Sequence, residues 1–430
     1  MTSLLRPARR APVLRRAIPT FAPRLVCYCL SDMSAKSAES FRLMIVAGEP
    51  SGDTHAAALV RALRAQSPHA SFEFYGATGT AMREAGVESV VRSDELAIMG
   101  IVEVARVLPK FWQAFAALKR EALARRPDAV VLVDWPEFNL RLARSLHRRG
   151  LRVIYYISPQ LWAWRSYRVR SIRRDVDLLL GILPFEPSWY QERGVTHVEF
   201  VGHPLTGEVH PRYGRAEFCR RHALDETRPL VALLPGSRRK ELERILPPML
   251  DAAVRIARAR PETQFVLTLA PSRTAAEAAA IIDEGRRKGL TVPEAFRISQ
   301  HETREALAAA DAAAVASGTA TLEAALTGTP LIIVYKESAI NWHTLGRLIN
   351  AEHFGLVNLV AGERIVPELM QDELTGERLS EELMALLDEK RNREARAQLA
   401  GVAARLGAGR ASRRAADAVL RAVREWKSES

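Results

Sequence analysis

The chain has 430 residues, 48% of them apolar and 26% charged, with a net charge of +12. That length exceeds what a single core grows to, so two domains are expected, and the composition excludes a disordered or fibrous chain. The basic excess calls for something anionic, whether nucleic acid, an acidic membrane face or a phosphorylated substrate, without choosing among them.

Three cysteines, Cys27, Cys29 and Cys219, are too few for a disulfide framework and fit a reducing cytoplasm. No run of uncharged apolar residues is long enough to cross a bilayer. The first 40 residues carry Arg6, Arg9, Arg10, Arg15, Arg16 and Arg24 with no acid before Asp32. That pattern matches a transit peptide, but a start placed too early, with Met33 as the true one, is the better reading. Residues 1–40 are set apart from the fold on either account.

An apolar run from Arg42 to Ala47 ends in Gly48-Glu-Pro-Ser-Gly-Asp53, and a helix bearing Leu59 and Leu63 follows. The loop is short, contains glycine and precedes a helix, so it can hold a phosphate or a sugar hydroxyl; it is neither a Walker loop nor Gly-x-Gly-x-x-Gly. From Leu96 to Arg120, Val104, Leu108, Phe111, Phe115 and Leu118 share one helical face beside several cations. Such a stripe is core or an interfacial segment touching lipid, and Pro109 predicts a break within it. Further strands read at Ser71–Tyr75, Ala129–Val133, Val153–Ile157, Val176–Ile182 and His197–Val201. Strands alternating with helices mean a parallel sheet covered on both faces, with ligands at the carboxyl ends of its strands.

Strand Ala129–Val133 delivers Asp134-Trp-Pro-Glu-Phe-Asn139 at that end. Asp134 is therefore a candidate general base, and the competing reading is an acidic capping box from Asp134 to Glu137. Tyr155, Tyr156, Trp162 and Trp164 surround Ser158-Pro-Gln160, and arginines follow; the mixture suits single-stranded nucleic acid or a phosphorylated amphiphile at a membrane. Asp175 and Asp177 open a strand instead of ending one, which argues against a metal role.

The pattern restarts after Pro204, with strands at Pro229–Leu234, Gln264–Leu269, Ala312–Ala316 and Leu331–Tyr335. Two doubly wound Rossmann-like domains, 41–205 and 206–385, are predicted, with helices over 386–430 packing across domains or subunits. Leu234-Pro-Gly-Ser-Arg238 places an arginine where a diphosphate needs its charge met. Ser317-Gly-Thr-Ala-Thr-Leu-Glu323 forms a small-residue turn into a helix, where backbone N–H groups and the helix dipole receive a diphosphate. Glu323, read in the first helical turn without a capping partner, can accept hydrogen bonds from ribose hydroxyls.

Taken in order, Gly48–Asp53, Met99-Gly-Ile-Val-Glu-Val104, Asp134–Asn139, Ser158-Pro-Gln-Leu-Trp-Ala-Trp-Arg165, Leu183-Pro-Phe-Glu186, Val201-Gly-His-Pro204, Leu234–Arg238 and Ser317–Glu323 resemble the lipid-A-disaccharide synthase family from about Arg42 to near the end. The resemblance implies a GT-B fold and an inverting, metal-independent transfer that needs no cofactor. The donor would be UDP-2,3-diacylglucosamine, the acceptor diacylglucosamine 1-phosphate and the product a β-1,6-linked disaccharide. It makes Asp134 the catalytic aspartate that deprotonates the acceptor 6-hydroxyl. It implies substrate contacts at Gly48, Ser51, Gly52, Asp53, Glu103, Asn139, Ser158, Gln160, Trp164, Arg165, Gly202 and His203. It puts UDP at Arg238, Ser317, Gly318, Thr319, Glu323 and Asn358. Family members often carry Asp at the place of Glu137 and Ala at that of Trp135, so neither is given a role. Acylated substrates make an anionic membrane face on the cytoplasmic side the expected partner, and the resemblance also implies a homodimer. A UDP-sugar epimerase or another GT-B transferase is the alternative enzyme; a basic RNA-binding protein is the alternative from another class.

Overall fold

The computed structural model describes residues 39–97, 104–338 and 353–429. Seven strands build the first sheet: β1 (Ser40–Ala47), β2 (Ser71–Thr78), β3 (Glu88–Arg92), β4 (Ala129–Val133), β5 (Val153–Tyr156), β6 (Leu178–Gly181) and β7 (Val198–Phe200). They run parallel in the order β3-β2-β1-β4-β5-β6-β7. Six more form the second sheet: β8 (Leu230–Leu234), β9 (Gln264–Leu269), β10 (Phe296–Gln300), β11 (Ala312–Ala316), β12 (Leu331–Tyr335) and β13 (Glu368–Met370). These are also parallel, in the order β10-β9-β8-β11-β12-β13. The connection between the sheets occupies residues 201–229 and includes the turn Pro204–Gly207 and helix Arg215–Arg221.

Side chains alternate across a strand, so a sheet buried on both faces reads as an unbroken apolar run. Along β1, Phe41, Leu43, Ile45 and Ala47 enter the core on one face and Met44 and Val46 the core on the other. In β8, Leu230, Ala232 and Leu234 oppose Val231 and Leu233 in the same way. The two doubly wound halves expected from the alternating pattern are present.

Helix Glu389–Arg405 sends Leu399 and Val402 into a core of the second sheet. Helix Ala411–Ser428 then returns to the first sheet, where Ala415, Ala416, Val419, Leu420 and Val423 share a core with β1. Its rim carries ion pairs from Arg421 to Glu199 (2.6 Å) and from Lys427 to Asp128 (3.0 Å). Burying a Leu or Val side chain contributes roughly 1.5–3 kcal/mol, so this face outweighs its exposed ion pairs.

Three edge strands, β3, β10 and β13, escape the sequence pattern because they are half-buried or only three residues long. Pro109 does not break its helix, which runs from Val104 to Arg125. The proline sits in the second turn, where it removes one amide donor; Ala114, Leu118 and Ala122, buried at i, i+4 and i+8, hold the rest against the sheet.

Candidate active site

Each sheet has one place where the strand order reverses, and ligands of open parallel sheets bind there, beyond the carboxyl ends of the strands. In the first sheet that place lies between β1 and β4, whose ends give the Gly48 loop and Asp134. In the second it lies between β8 and β11, whose ends give Pro235–Arg238 and Ser317–Thr319.

The second-sheet crevice is a cavity of about 360 Å³ bordered by Arg238, Ser317, Gly318, Thr319 and Glu323. Its loop is spent on itself: Ser237 N and Arg238 N donate to Glu241 Oε2 (3.0 and 3.1 Å). Gly236 has φ 110°, and a Cβ there would lie 2.4 Å from Glu241 Oε2, so glycine is required. With those amides occupied, the groups left at the cavity to face an anion are the Arg238 guanidinium, 79% exposed and paired through Nη1 with Glu241 Oε1 (3.1 Å), and the start of helix Thr319–Thr327. Ser317 Oγ donates to Phe354 O (3.0 Å) and ties the turn to the following loop. Because that helix begins at Thr319, Glu323 stands in its second turn, not its first. Arg304 Nε donates to Glu323 Oε1 (3.1 Å), which fixes the carboxylate in the cavity wall.

In the first-sheet crevice Asp134 (φ 49°) and Trp135 (φ 50°) are both left-handed. That conformation costs a non-glycine residue roughly 1–2 kcal/mol. Two donors hold the turn: Tyr155 Oη (2.6 Å) and Asn139 Nδ2 (2.7 Å) both reach Asp134 O. Helix Pro136–His147 begins at Trp135 without a side-chain cap, so the capping-box alternative for Asp134 fails. Burial pushes the Asp134 carboxyl above the ordinary range, opposed by the Trp135 amide and by His55. Glu49 is raised too, by burial and then by the charge of Asp134.

Below Asp134 lies a cavity of about 200 Å³, bordered also by Ser158, Gln160, Trp164 and Glu186. Beside it an apolar hollow of about 260 Å³ is walled by Phe111, Trp112, Phe115, Trp135 and Phe138, with Trp112 64% exposed. The crevices of the two sheets are joined by side chains. His55 Nδ1 meets Glu208 Oε1 (3.5 Å), Arg304 donates to Glu208 O, and the same arginine holds Glu323. The neighbour of Asp134 is thus tied to the carboxylate of the second crevice.

Several residues expected to touch substrate have partners within the fold. Asp53 is 5% exposed and accepts from Gly79 N, Ala81 N and Met82 N, closing the start of helix Thr80–Glu84. Asn139 is fully buried under the Asp134 turn. Asn358, also fully buried, donates to Val366 O and Glu368 and accepts from Ile365 N and Val366 N, so its polar atoms are spent within the fold. His203 N donates to Leu406 O (2.8 Å) and Gly202 (φ 92°) packs against the same carbonyl, so both anchor the returning C-terminal segment. Burial lowers the His203 imidazole to about 4, and its Nδ1 accepts from Leu205 N. Arg165 pairs with Glu137, as does Arg168, and lies over the Trp164 ring. Gly48 is needed because a Cβ would strike the Trp135 ring, and Gly52 packs against Asp134 Cβ. Ser51, in the first turn of helix Pro50–Gln66, is exposed. Glu103 and the motif Met99–Val104 that carries it fall outside the described residues, its last position apart. Tyr155 and Tyr156 are core and Trp162 is buried, which leaves Trp164 as the one aromatic of the four at the surface. Asp175 pairs with Arg174, and Asp177 with Arg152 and His147.

The sequence assigns no role to Glu49, His55, Glu186 or Arg304, and it reads Tyr155 only as one of the aromatics around Ser158. Glu49 and Glu186 stand inside recognisable motifs; His55 and Arg304 carry no local signal.

Two parallel sheets facing one another across such crevices define the GT-B class of α/β enzymes. Solved structures sharing the fold include UDP-GlcNAc 2-epimerase from Neisseria meningitidis bound to UDP-GlcNAc, at 10% identity and TM-score 0.60, covering 89% of this chain and all of that one. Another is the glycotransferase of kitacinnamycin, at 16% identity and TM-score 0.58, covering 89% and 98%. The lipid-A-disaccharide synthetase family model matches residues 43–422, and the chain belongs to that family of glycosyltransferases. The lipid-A-disaccharide synthase of Geobacter sulfurreducens is 43% identical over 382 residues, 89% of this chain and 97% of its own. That of Myxococcus xanthus is 43% identical over 380 residues, 88% and 97%.

Proposed function

We propose that the chain joins UDP-2,3-diacylglucosamine to the 6-hydroxyl of diacylglucosamine 1-phosphate, releasing UDP and a β-1,6-linked disaccharide 1-phosphate. The observation that carries this reading is the Asp134 carboxyl, held in a strained turn over a cavity at the first-sheet reversal and linked by side chains to a diphosphate-sized cavity at the second. Asp134 takes the proton of the acceptor hydroxyl, the freed oxygen attacks the anomeric carbon from the face opposite UDP, and the C–O bond to the diphosphate breaks. Arg238 and the N-terminus of helix Thr319–Thr327 meet the charge left on UDP, and Glu323 accepts from its ribose. A raised carboxyl pKa suits the base, because it is a stronger proton acceptor once ionised.

Acyl chains remain to be housed, and the Phe111–Phe138 hollow, opening beside Asp134 with Trp112 at its lip, suits them. Among the described residues no helix is long and apolar enough to cross a membrane. The +12 charge then favours peripheral docking on an anionic bilayer face, which the substrates themselves occupy. Mass spectrometry of the product from acylated UDP-glucosamine and its 1-phosphate partner tests the reading. A disaccharide 1-phosphate is expected. An epimerised UDP-sugar, or equal turnover of an unacylated donor, overturns it.

A further inference from the structure

A charged cluster touches both the apolar hollow and the cavity under Asp134. Glu137, in the first turn of helix Pro136–His147, borders the hollow together with Arg141. Arg168 donates to both of its carboxylate oxygens, Nη1 to Oε1 (2.8 Å) and Nη2 to Oε2 (2.9 Å), and Arg165 Nη1 donates to Oε1 as well. The Arg165 guanidinium also lies 4.2 Å from the centroid of the Trp164 ring, and Trp164 borders the cavity under Asp134. The cluster thus meets a wall of each.

Two arginines on one glutamate are more than an ion pair needs, and Arg141, one turn along the helix, adds a third charge. Hydrogen bonding to Arg168, with the charges of Arg165 and Arg141 and against partial burial, holds the Glu137 carboxyl below the ordinary carboxylate range. Three guanidiniums facing one ionised carboxylate leave two positive charges. Among the described residues, Nη1 is the one Arg165 nitrogen with a hydrogen-bond partner. Its Nε and Nη2, the edge that grips an oxyanion at two places, are left to another acceptor on a side chain that is 38% exposed. Arg165 is also held in left-handed backbone (φ 56°), and strain of that kind gathers where a side chain is aimed at a ligand.

We propose that Arg165 and Arg168 form the binding site for the anomeric phosphate of the acceptor. The inference rests on the transfer reaction proposed above and names the part of that substrate which the cluster reads. In 2,3-diacylglucosamine 1-phosphate, C1 stands between C2, which bears an acyl group, and the ring oxygen, beyond which C5 carries the reacting C6 hydroxyl. The phosphate therefore leaves the ring between the acyl chains and that hydroxyl. Its cations belong between a hollow that houses acyl chains and a cavity that holds the base, and the cluster stands there. Charge agrees: a phosphate monoester carries about −1.5 to −2 at pH 7, close to the excess at this place, whereas the phosphodiester of a bilayer lipid carries a single charge.

The test uses the full chain in nonionic detergent micelles with two acceptors, diacylglucosamine 1-phosphate and the same lipid without its phosphate. The ratio of kcat/KM for the phosphorylated acceptor to that for the other is expected to fall about ten- to a hundredfold in Arg165→Ala and in Arg168→Ala, the worth of a hydrogen bond to a charged group. An arginine that only braces the fold would lower both acceptors alike; an unchanged ratio, or equal use of the two by the wild type, overturns the proposal. Should Arg168→Ala not fold, Arg165→Ala decides alone. Sedimentation with phosphatidylglycerol vesicles separates the two sources of phosphate: variants that lose vesicle binding while keeping the ratio assign the cluster to the bilayer and overturn the proposal. If the wild-type chain makes no disaccharide, the transfer reading fails separately, and calorimetric titration of the two acceptors then judges the cluster. Tighter binding of the phosphorylated lipid by the wild type and not by Arg165→Ala supports it; equal binding of both lipids, or a preference that survives in the variant, overturns it.

Discussion

Replacing Asp134 by Asn removes the proposed base while keeping its shape and its turn. The choice of Asn matters because φ is 49° at this position. Asn tolerates the left-handed region, whereas Ala there would be strained. The change also removes a carboxylate that burial disfavours. A carboxyl whose folded pKa is raised loses stability as pH climbs through that value, so the neutral amide is expected to match or exceed the wild-type melting temperature at pH 7. Turnover, in contrast, should fall about 10²–10⁴-fold, the contribution of a positioned general base; this is roughly 3–5 kcal/mol of barrier at 1.36 kcal/mol per decade. In the wild type, kcat/KM should decline as pH drops through the raised Asp134 value, and the variant should lack that acid limb. UDP release followed with product mass spectrometry, beside thermal unfolding, reads all three quantities. Turnover of Asp134→Asn within tenfold of wild type, at unchanged melting temperature, would refute the base.

Arg238→Ala should lower kcat/KM for the UDP-sugar roughly ten- to a hundredfold, the worth of a hydrogen bond to a charged group, without moving the acceptor KM; equal losses for both substrates would place the arginine elsewhere. Trp112→Asp should weaken binding to anionic vesicles while sparing the melting temperature, since the ring is 64% exposed. Withdrawing about 100 Å² of apolar contact is worth about 2.5 kcal/mol at 25 cal/mol per Å², which is some 60-fold in a sedimentation assay. Leu420→Ala, in the returning C-terminal helix and 3% exposed, should cost about 2–5 kcal/mol in urea unfolding; a loss below 1 kcal/mol would mean the helix does not complete the first sheet's core.

Strands were legible where both faces are buried. The runs Ala129–Val133 and Ala312–Ala316 match β4 and β11 residue for residue, because a central parallel strand must be apolar throughout. β3, β10 and β13 lie at sheet edges, where one side and part of a face meet solvent, so Glu88–Arg92 looks like any polar connection. Pro109 misled for a different reason. Its local cost is real, but it is set against a helical face packed on the sheet, and that packing is not visible in a window of sequence.

The candidate site was legible as loops and illegible as roles. Asp134, Arg238, Ser317, Gly318, Thr319 and Glu323 border cavities, as their places after strands foretell. Asp53, Asn139 and Asn358 sit in equally recognisable motifs yet face inward, since a polar side chain that caps a helix or holds a carbonyl leaves the same mark in sequence as one that meets a ligand. What separates the two sets is the partner. Asn139 and Tyr155 spend their donors on the Asp134 carbonyl and thereby sustain a turn that two consecutive non-glycine residues would otherwise leave. The strain is maintained at a position where a carboxyl is presented to a cavity and not to its own helix. The same logic extends across the cleft, where Arg304 holds Glu323 and reaches the backbone of Glu208, the partner of His55. Neither Arg304 nor His55 borders either cavity; Arg304 acts through the Glu323 carboxylate that it holds, and His55 through its charge on Asp134. The chemistry of the site is thus assigned by the residues at its surface, and its geometry by polar residues that hold them from behind and leave no local mark in the sequence.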